Sequence, residues 1–106
     1  MGAIFEVLAE PNRRRILEEL RGGELTVNDV VGWLDIGQPA VSRHLKMLRE
    51  AGLVSVRVDK QRRQYRLRPE ALADVDAWIA QFRPFWNERL DALERALDKE
   101  NPSWME

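Results

Sequence analysis

The 106-residue sequence contains no cysteine and a single histidine. Without thiols there is no disulfide, no thiolate nucleophile and no thiolate metal site. With one histidine, no multi-histidine metal centre can form within the chain. No apolar run approaches the roughly 20 residues of a membrane-spanning helix. The opening Met1-Gly2-Ala3-Ile4-Phe5-Glu6 lacks the basic stretch and long apolar core of a secretory signal. No Ser–His–Asp order, glycine-rich phosphate loop or paired-histidine motif is present, so an enzyme is not expected. Repeats, linkers and low-complexity segments are absent as well. These absences lead to an expected cytoplasmic protein with no cofactor, no bound metal, no catalytic residues and no membrane partner, and the length points to one domain over residues 1–106.

Hydrophobic residues make up 44% of the chain, enough for a core and too many for a disordered tail. That core is small at this length, so a partner chain could matter for stability. The formal net charge is −1, which at first argues against nucleic acid. The charges are unevenly placed, however. Residues 1–42 carry four basic and seven acidic side chains, net −3. Residues 43–68 carry nine basic side chains against Glu50 and Asp59, net +7. Residues 69–106 carry four basic and nine acidic, net −5. A nearby phosphate feels the local field rather than the total.

The pattern predicts a mainly α protein with one β-hairpin. Ile4, Phe5 and Leu8 are helically spaced. Pro11 suits the first turn of a second helix that buries Ile16, Leu17 and Leu20, starts with Arg13, Arg14 and Arg15, and ends at Gly22-Gly23. Thr26 is an N-cap with Asp29 as acidic partner, and Val27, Val30, Val31 and Leu34 form a short amphipathic helix. Asp35-Ile36-Gly37 is a tight turn. Pro39 begins the next helix, whose inner face is Val41, Leu45 and Leu48, and Gly52 closes it. Two short helices joined by a three-residue glycine turn make a helix-turn-helix.

Residues 53–58 and 64–68 alternate with period two around a polar turn, a hairpin. Its outward side chains are expected to be Arg57, Arg66 and Arg68, with Lys60, Arg62 and Arg63 at the tip. No Asn-Gly or Asp-Gly marks that tip, so a longer, mobile loop is expected rather than a two-residue turn. From Pro69 the spacing is helical again, ending at Asn101-Pro102, with Pro84 kinking or breaking the helix near its middle.

In a helix-turn-helix the second helix enters the major groove of double-stranded DNA. Here Gln38, Pro39, Ser42, Arg43 and Lys46 should face out. Gln pairs with adenine, Arg with guanine, Ser with base or phosphate, and Pro39 offers an apolar surface to a thymine methyl. Arg57, Lys60, Arg62, Arg63 and Arg66 of the hairpin would meet phosphates or a minor groove. Arg68 and Arg49 could instead neutralise nearby acids. His44 could contact phosphate or titrate near neutral pH, but it is expected to flank the DNA face with no chemistry of its own.

Residues 8–17, 37–54 and 63–67 are similar to those of the ArsR-type winged helix-turn-helix repressors. The second stretch, Gly37-Gln38-Pro39-Ala40-Val41-Ser42-Arg43-His44-Leu45-Lys46-Met47-Leu48-Arg49-Glu50-Ala51-Gly52-Leu53-Val54, is the most specific. The resemblance implies a homodimer formed by the first and last helices, a DNA-reading helix beginning near Gln38, and repression by occupying an operator at a promoter, often the regulator's own; two reading helices in successive major grooves would make that operator a palindrome. It also exposes a departure. Many members sense metals through a Glu-Leu-Cys-Val-Cys-Asp-Leu box. The matching residues here are Glu24-Leu25-Thr26-Val27-Asn28-Asp29-Val30, with Thr26 and Asn28 in place of the thiolates. A second family site uses a histidine on the last helix, which has Asp74, Asp76, Glu88 and Asp91 but no histidine. A repressor that does not sense metals is therefore expected.

Ile4, Phe5, Leu8, Val75, Trp78, Ile79, Phe82, Phe85, Trp86, Leu90 and Leu93 are expected to form the dimer interface, since such a helix left bare would be a large apolar patch. An effector pocket near Pro84 is the lesser reading of the same aromatics, and no effector is assigned. The alternative function is a winged-helix interaction module whose basic face docks on an acidic partner.

Overall fold

The computed structural model describes residues 2–100; the helix end expected at Asn101-Pro102 lies outside them. The chain divides into two compact units, one running to Val75 and the other from Asp76 onward. The first holds α1 (Gly2–Leu8), α2 (Pro11–Leu20), α3 (Val27–Leu34), α4 (Gln38–Glu50), a hairpin of β1 (Val54–Asp59) and β2 (Arg62–Leu67), and a 3-10 turn at Pro69–Leu72.

The element boundaries follow local chemistry. At the start of α2 the Glu10 carboxylate accepts the Arg13 N–H at 3.0 Å, and Pro11 occupies the first turn. Thr26 caps α3 in a closed capping box. Its hydroxyl accepts the Asp29 N–H at 3.1 Å, and the Asp29 carboxylate accepts the Thr26 N–H at 2.9 Å. The turn into α4 is made by Asp35 and Gly37, both at positive φ. At the other end of α4, Gly52 takes φ +79°. The Gly52 N–H donates to the Arg49 carbonyl at 3.0 Å and the Leu53 N–H to the Leu48 carbonyl at 2.9 Å. This is a Schellman closure, and its accompanying apolar contact is supplied by Leu48 and Leu53, both fully buried.

The core lies where α2, α3 and α4 meet the base of the hairpin. Ile16, Leu17 and Leu20 come from α2, Val30 from α3, and Val41, Leu45 and Leu48 from α4, joined by Val7, Leu53, Val54 and Tyr65. Burying each large aliphatic side chain contributes about 1.5–3 kcal/mol. Val27, Val31 and Leu34 are half-buried around this centre.

The arginine triplet of α2 divides. Arg13 Nε donates to the Val7 carbonyl at 2.7 Å, and Arg14 donates to the Leu8 carbonyl at 2.8 Å and the Ala9 carbonyl at 3.2 Å. Both guanidinium groups therefore satisfy carbonyls that α1 leaves open at its C-terminus. Arg15 lies over the Trp33 ring of α3, 5.4 Å from its centre.

The hairpin is antiparallel, with Val54 opposite Leu67, Val56 opposite Tyr65 and Asp59 opposite Arg62. Leu25 pairs with the free side of β2, exchanging two backbone hydrogen bonds with Tyr65 at 3.0 and 2.8 Å. The tip corrects the expectation of a long loop. Only Lys60 and Gln61 lie between the strands, and Lys60 takes φ +60°. Full pairing up to Asp59 and Arg62 overrides the left-handed cost at a non-glycine residue, about 1–2 kcal/mol.

The long terminal helix also differs in detail. After the 3-10 turn come α5 (Ala73–Ala80) and α6 (Arg83–Glu100), with the break at Gln81-Phe82. Pro84 sits in the first turn of α6, where its missing N–H costs nothing. The Phe82 N–H turns back to the Ile79 carbonyl at 2.9 Å. Within the second unit Trp78 and Phe82 rings lie 5.0 Å apart and Phe82 and Trp86 rings 6.4 Å apart, and Arg83 pairs with Asp76. Leu90 is 61% exposed and Phe85 52% exposed.

Candidate nucleic-acid interface

The inner face of α4 is pinned by Val41, Leu45 and Leu48, so its opposite face is free. Gln38, Pro39, Ser42, Arg43 and Lys46 are all exposed there. Gln38, Ser42, Lys46 and Arg49 follow one helical stripe and line an open groove of about 490 Å³ with Val27, Arg63 and Tyr65. Pro39 and Arg43 sit one residue further round, on the adjoining stripe. A neighbouring hollow brings Gln38 together with Arg62, Arg63 and Gln61 of the hairpin and with Asn28 and Asp29 at the start of α3. Lys60 and Arg62 flank the tip.

Strand alternation sorts the remaining hairpin arginines. Arg63 lies opposite Val58 on the face that carries Val56 and Tyr65; Arg57, lying opposite Gln64, and Arg66, opposite Ser55, occupy the other face. On that other face Glu24 takes hold of Arg57, with Nε at 3.0 and 3.1 Å from the two carboxylate oxygens. The hydrogen bond from Arg57 holds the Glu24 carboxyl below its ordinary range, and the same bond raises the Arg57 guanidinium. Arg57 is thus a neutralised partner and not a bare cation beside α4. Arg68 is 3.5 Å from Glu70, while Arg49 joins the groove.

Sequence reasoning did not mark Gln61 or the exposed start of α3 as groove residues. Gln61 carries no periodic signal, because it lies in the two-residue tip between β1 and β2. Arg49, which the sequence left between groove contact and neutralising nearby acids, shares the helical phase of Gln38, Ser42 and Lys46 and lines the groove with them.

His44 turns away from the groove. It is half-buried, its Nδ1 3.4 Å from Arg13 and its Nε2 3.8 Å from Glu10. Burial lowers its pKa below the ordinary 6.5; Glu10 acts in the opposite direction, and the positive charges of Arg13 and Arg43 add smaller pushes downward.

The Thr26 hydroxyl is engaged in the capping box, and among the described residues no three His, Asp or Glu side chains gather as a ligand set. No helix among the described residues is long and apolar enough to cross a membrane.

A helix-turn-helix with an exposed second helix and a basic two-stranded wing beside it defines a winged helix-turn-helix DNA-binding protein. Residues 10–56 match the model of bacterial regulatory proteins of the arsR family. The transcriptional repressor SdpR of Bacillus subtilis (strain 168) is 33% identical over 82 residues, covering 77% of this chain and 91% of SdpR. The chain belongs to the ArsR family, and it is a DNA-binding transcriptional regulator rather than an enzyme. Among solved structures, a possible transcriptional regulator for arsenical resistance is 43% identical with a TM-score of 0.68, covering 86% of this chain and 92% of that one. The homodimeric winged helix-turn-helix DNA-binding domain Mb0332 of Mycobacterium bovis is 27% identical with a TM-score of 0.63, covering 77% of this chain and 79% of its own.

Proposed function

We propose that the protein is a homodimeric repressor that occupies a palindromic operator and does so without sensing metal. The observation that carries this reading is the single groove in which Gln38, Ser42, Lys46 and Arg49 of α4 meet Arg63 of the wing. The two copies of α4 enter successive major grooves about 34–36 Å apart. Gln38 reads adenine, Arg43 guanine and Ser42 a base or phosphate, and Pro39 packs on a thymine methyl. Lys46, Lys60, Arg62 and Arg63 meet phosphates or the flanking minor groove, and Arg57 and Arg66, on the other face of the hairpin, reach phosphates only outside the groove.

Dimerisation rests on Ile4, Phe5 and Leu8 of α1 with Val75, Trp78, Ile79, Phe82, Phe85, Trp86, Leu90 and Leu93. Two features support it: the apolar exposure along α6 and the homodimeric state of the Mycobacterium bovis domain. Metal-independent action is supported by Thr26, whose hydroxyl serves as a helix cap. The site of action is the cytoplasm.

The test is selection of bound duplexes from a random pool by the full chain, compared with the DNA upstream of its own gene. A shared palindrome with half-sites one helical turn apart is the expected result. Bound duplexes with no common sequence would overturn operator recognition and favour docking on an acidic protein.

A further inference from the structure

The buried side of α4 carries a polar cluster that DNA contact does not explain. Arg13 of α2 uses four of its five N–H donors there. Its Nε donates to the Val7 carbonyl at 2.7 Å, and one terminal nitrogen to the Glu6 carbonyl at 3.3 Å. The other terminal nitrogen reaches His44 Nδ1 and the Met47 sulfur, each at 3.4 Å. One side chain therefore joins the end of α1 to the middle of α4. A guanidinium has donors and no acceptor, so Nδ1 of His44 must be the accepting nitrogen. The imidazole proton then sits on Nε2, which faces the Glu10 carboxylate at 3.8 Å.

We propose that Arg13 is a positioning residue for the DNA-reading helix, acting through neutral His44, so that protonating His44 uncouples α4 from α1 and weakens DNA binding. The inference rests on α4 being the reading helix. The physical reason is a donor conflict. Imidazolium carries N–H on both nitrogens, so Nδ1–H would point at an Arg13 N–H and set two positive charges together. Glu10 on the opposite side of the ring offsets part of that repulsion but cannot restore the lost acceptor. The charged groups facing the ring are Glu10 and Arg13 from α2 and its cap, and Arg43 from α4 itself. Glu6 and Glu50 lie further along the same seam, beside Met47. His44 is the chain's only histidine, so its protonation can be followed as that of a single imidazole.

The experiment has two arms on the full chain. Nitrogen-15 NMR of the single imidazole at pH 7.5 should show Nε2 protonated and Nδ1 bare; the opposite tautomer overturns the proposal without touching DNA recognition. Affinity for a fluorescein-labelled duplex recovered by selection is then followed from pH 8 to 5.5. It should fall roughly three- to tenfold, the worth of about one hydrogen bond. An imidazolium that bound phosphate would tighten binding instead, and that result also overturns the proposal. His44→Asn places an amide oxygen near Nδ1 and does not titrate, so it should keep the pH 8 affinity and lose the slope. Arg13→Lys keeps the charge without the fork and should bind more weakly at pH 8, with an unchanged circular dichroism spectrum. A slope that persists in His44→Asn refutes the coupling. Arg43→Ala separates the two readings: if it abolishes binding while His44→Asn matches the parent at every pH, α4 still reads DNA and only the coupling fails. If Arg43→Ala binds like the parent at every pH, the reading-helix assignment fails, and the coupling falls with it.

Discussion

Glu24 grips Arg57 across the hairpin, its carboxylate 2.9 Å from a terminal guanidinium nitrogen as well as bonded to Nε. The two residues are 33 positions apart. The pair ties the segment before α3 to β1, on the face of the sheet away from the groove. It is exposed, so it adds little stability, but it engages one of the hairpin's cations.

Arg63 and Arg57 should therefore behave differently. Arg63→Ala should weaken binding to all duplexes alike and reduce the slope of log affinity against log salt by about 0.9, the value for one phosphate. Arg57→Ala should change the slope much less. Fluorescence anisotropy titrations at several salt concentrations make the comparison, and equal slope changes would mean that Arg57 leaves Glu24 on binding.

Two glycine substitutions should have opposite signs. At Gly52 a Cβ meets no atom closer than the Ala71 Cβ at 4.0 Å, so the positive φ alone makes Gly52→Ala destabilising, by about 1–2 kcal/mol. Gly32 lies inside α3 with open space around its missing Cβ, so Gly32→Ala should stabilise by about 0.5–1 kcal/mol. Urea unfolding of both variants is the measurement.

Acid should destabilise the fold through His44. The unfolded chain takes up a proton near pH 6.5, whereas burial keeps the folded imidazole neutral to lower pH. Between those two values the unfolded state binds more protons, so stability rises with pH there. The loss begins as pH falls past about 6.5 and is complete below the folded value. Urea midpoints at pH 5.5 and 7.5 should differ in that sense, and His44→Asn should narrow the difference.

Leu90 is 61% exposed on α6. Leu90→Glu should lower the solution mass to that of one chain at micromolar concentration, as read by sedimentation equilibrium. It should also abolish high-affinity binding to the palindrome, because one half-site then acts alone.

Much of the fold was legible from short-range rules. The helix-turn-helix boundaries came from Thr26 with Asp29, from Pro39 and from Gly52, each acting on backbone groups within a few residues. The buried stripe Val41, Leu45 and Leu48 followed from the helical period. The hairpin followed from alternation, but its two-residue tip did not. No turn residue announced Lys60-Gln61, and the pairing of Asp59 with Arg62 outweighed the local preference of Lys60. In the candidate site, the exposed stripe of α4 was legible for the same reason as its buried one.

By itself, then, the sequence determined the bounds of the helix-turn-helix, which helix faces are apolar, and that positive charge gathers in residues 43–68, while the break between α5 and α6 at Gln81-Phe82 was not legible in it. The tertiary structure decided which basic side chains are spent. Arg13 and Arg14 satisfy the carbonyls that end α1, Arg57 is held by Glu24, and Arg63 is brought beside Gln38 and Lys46. Those outcomes depend on partners distant in the chain, whose meeting is fixed by core packing and strand register and by nothing in the local pattern.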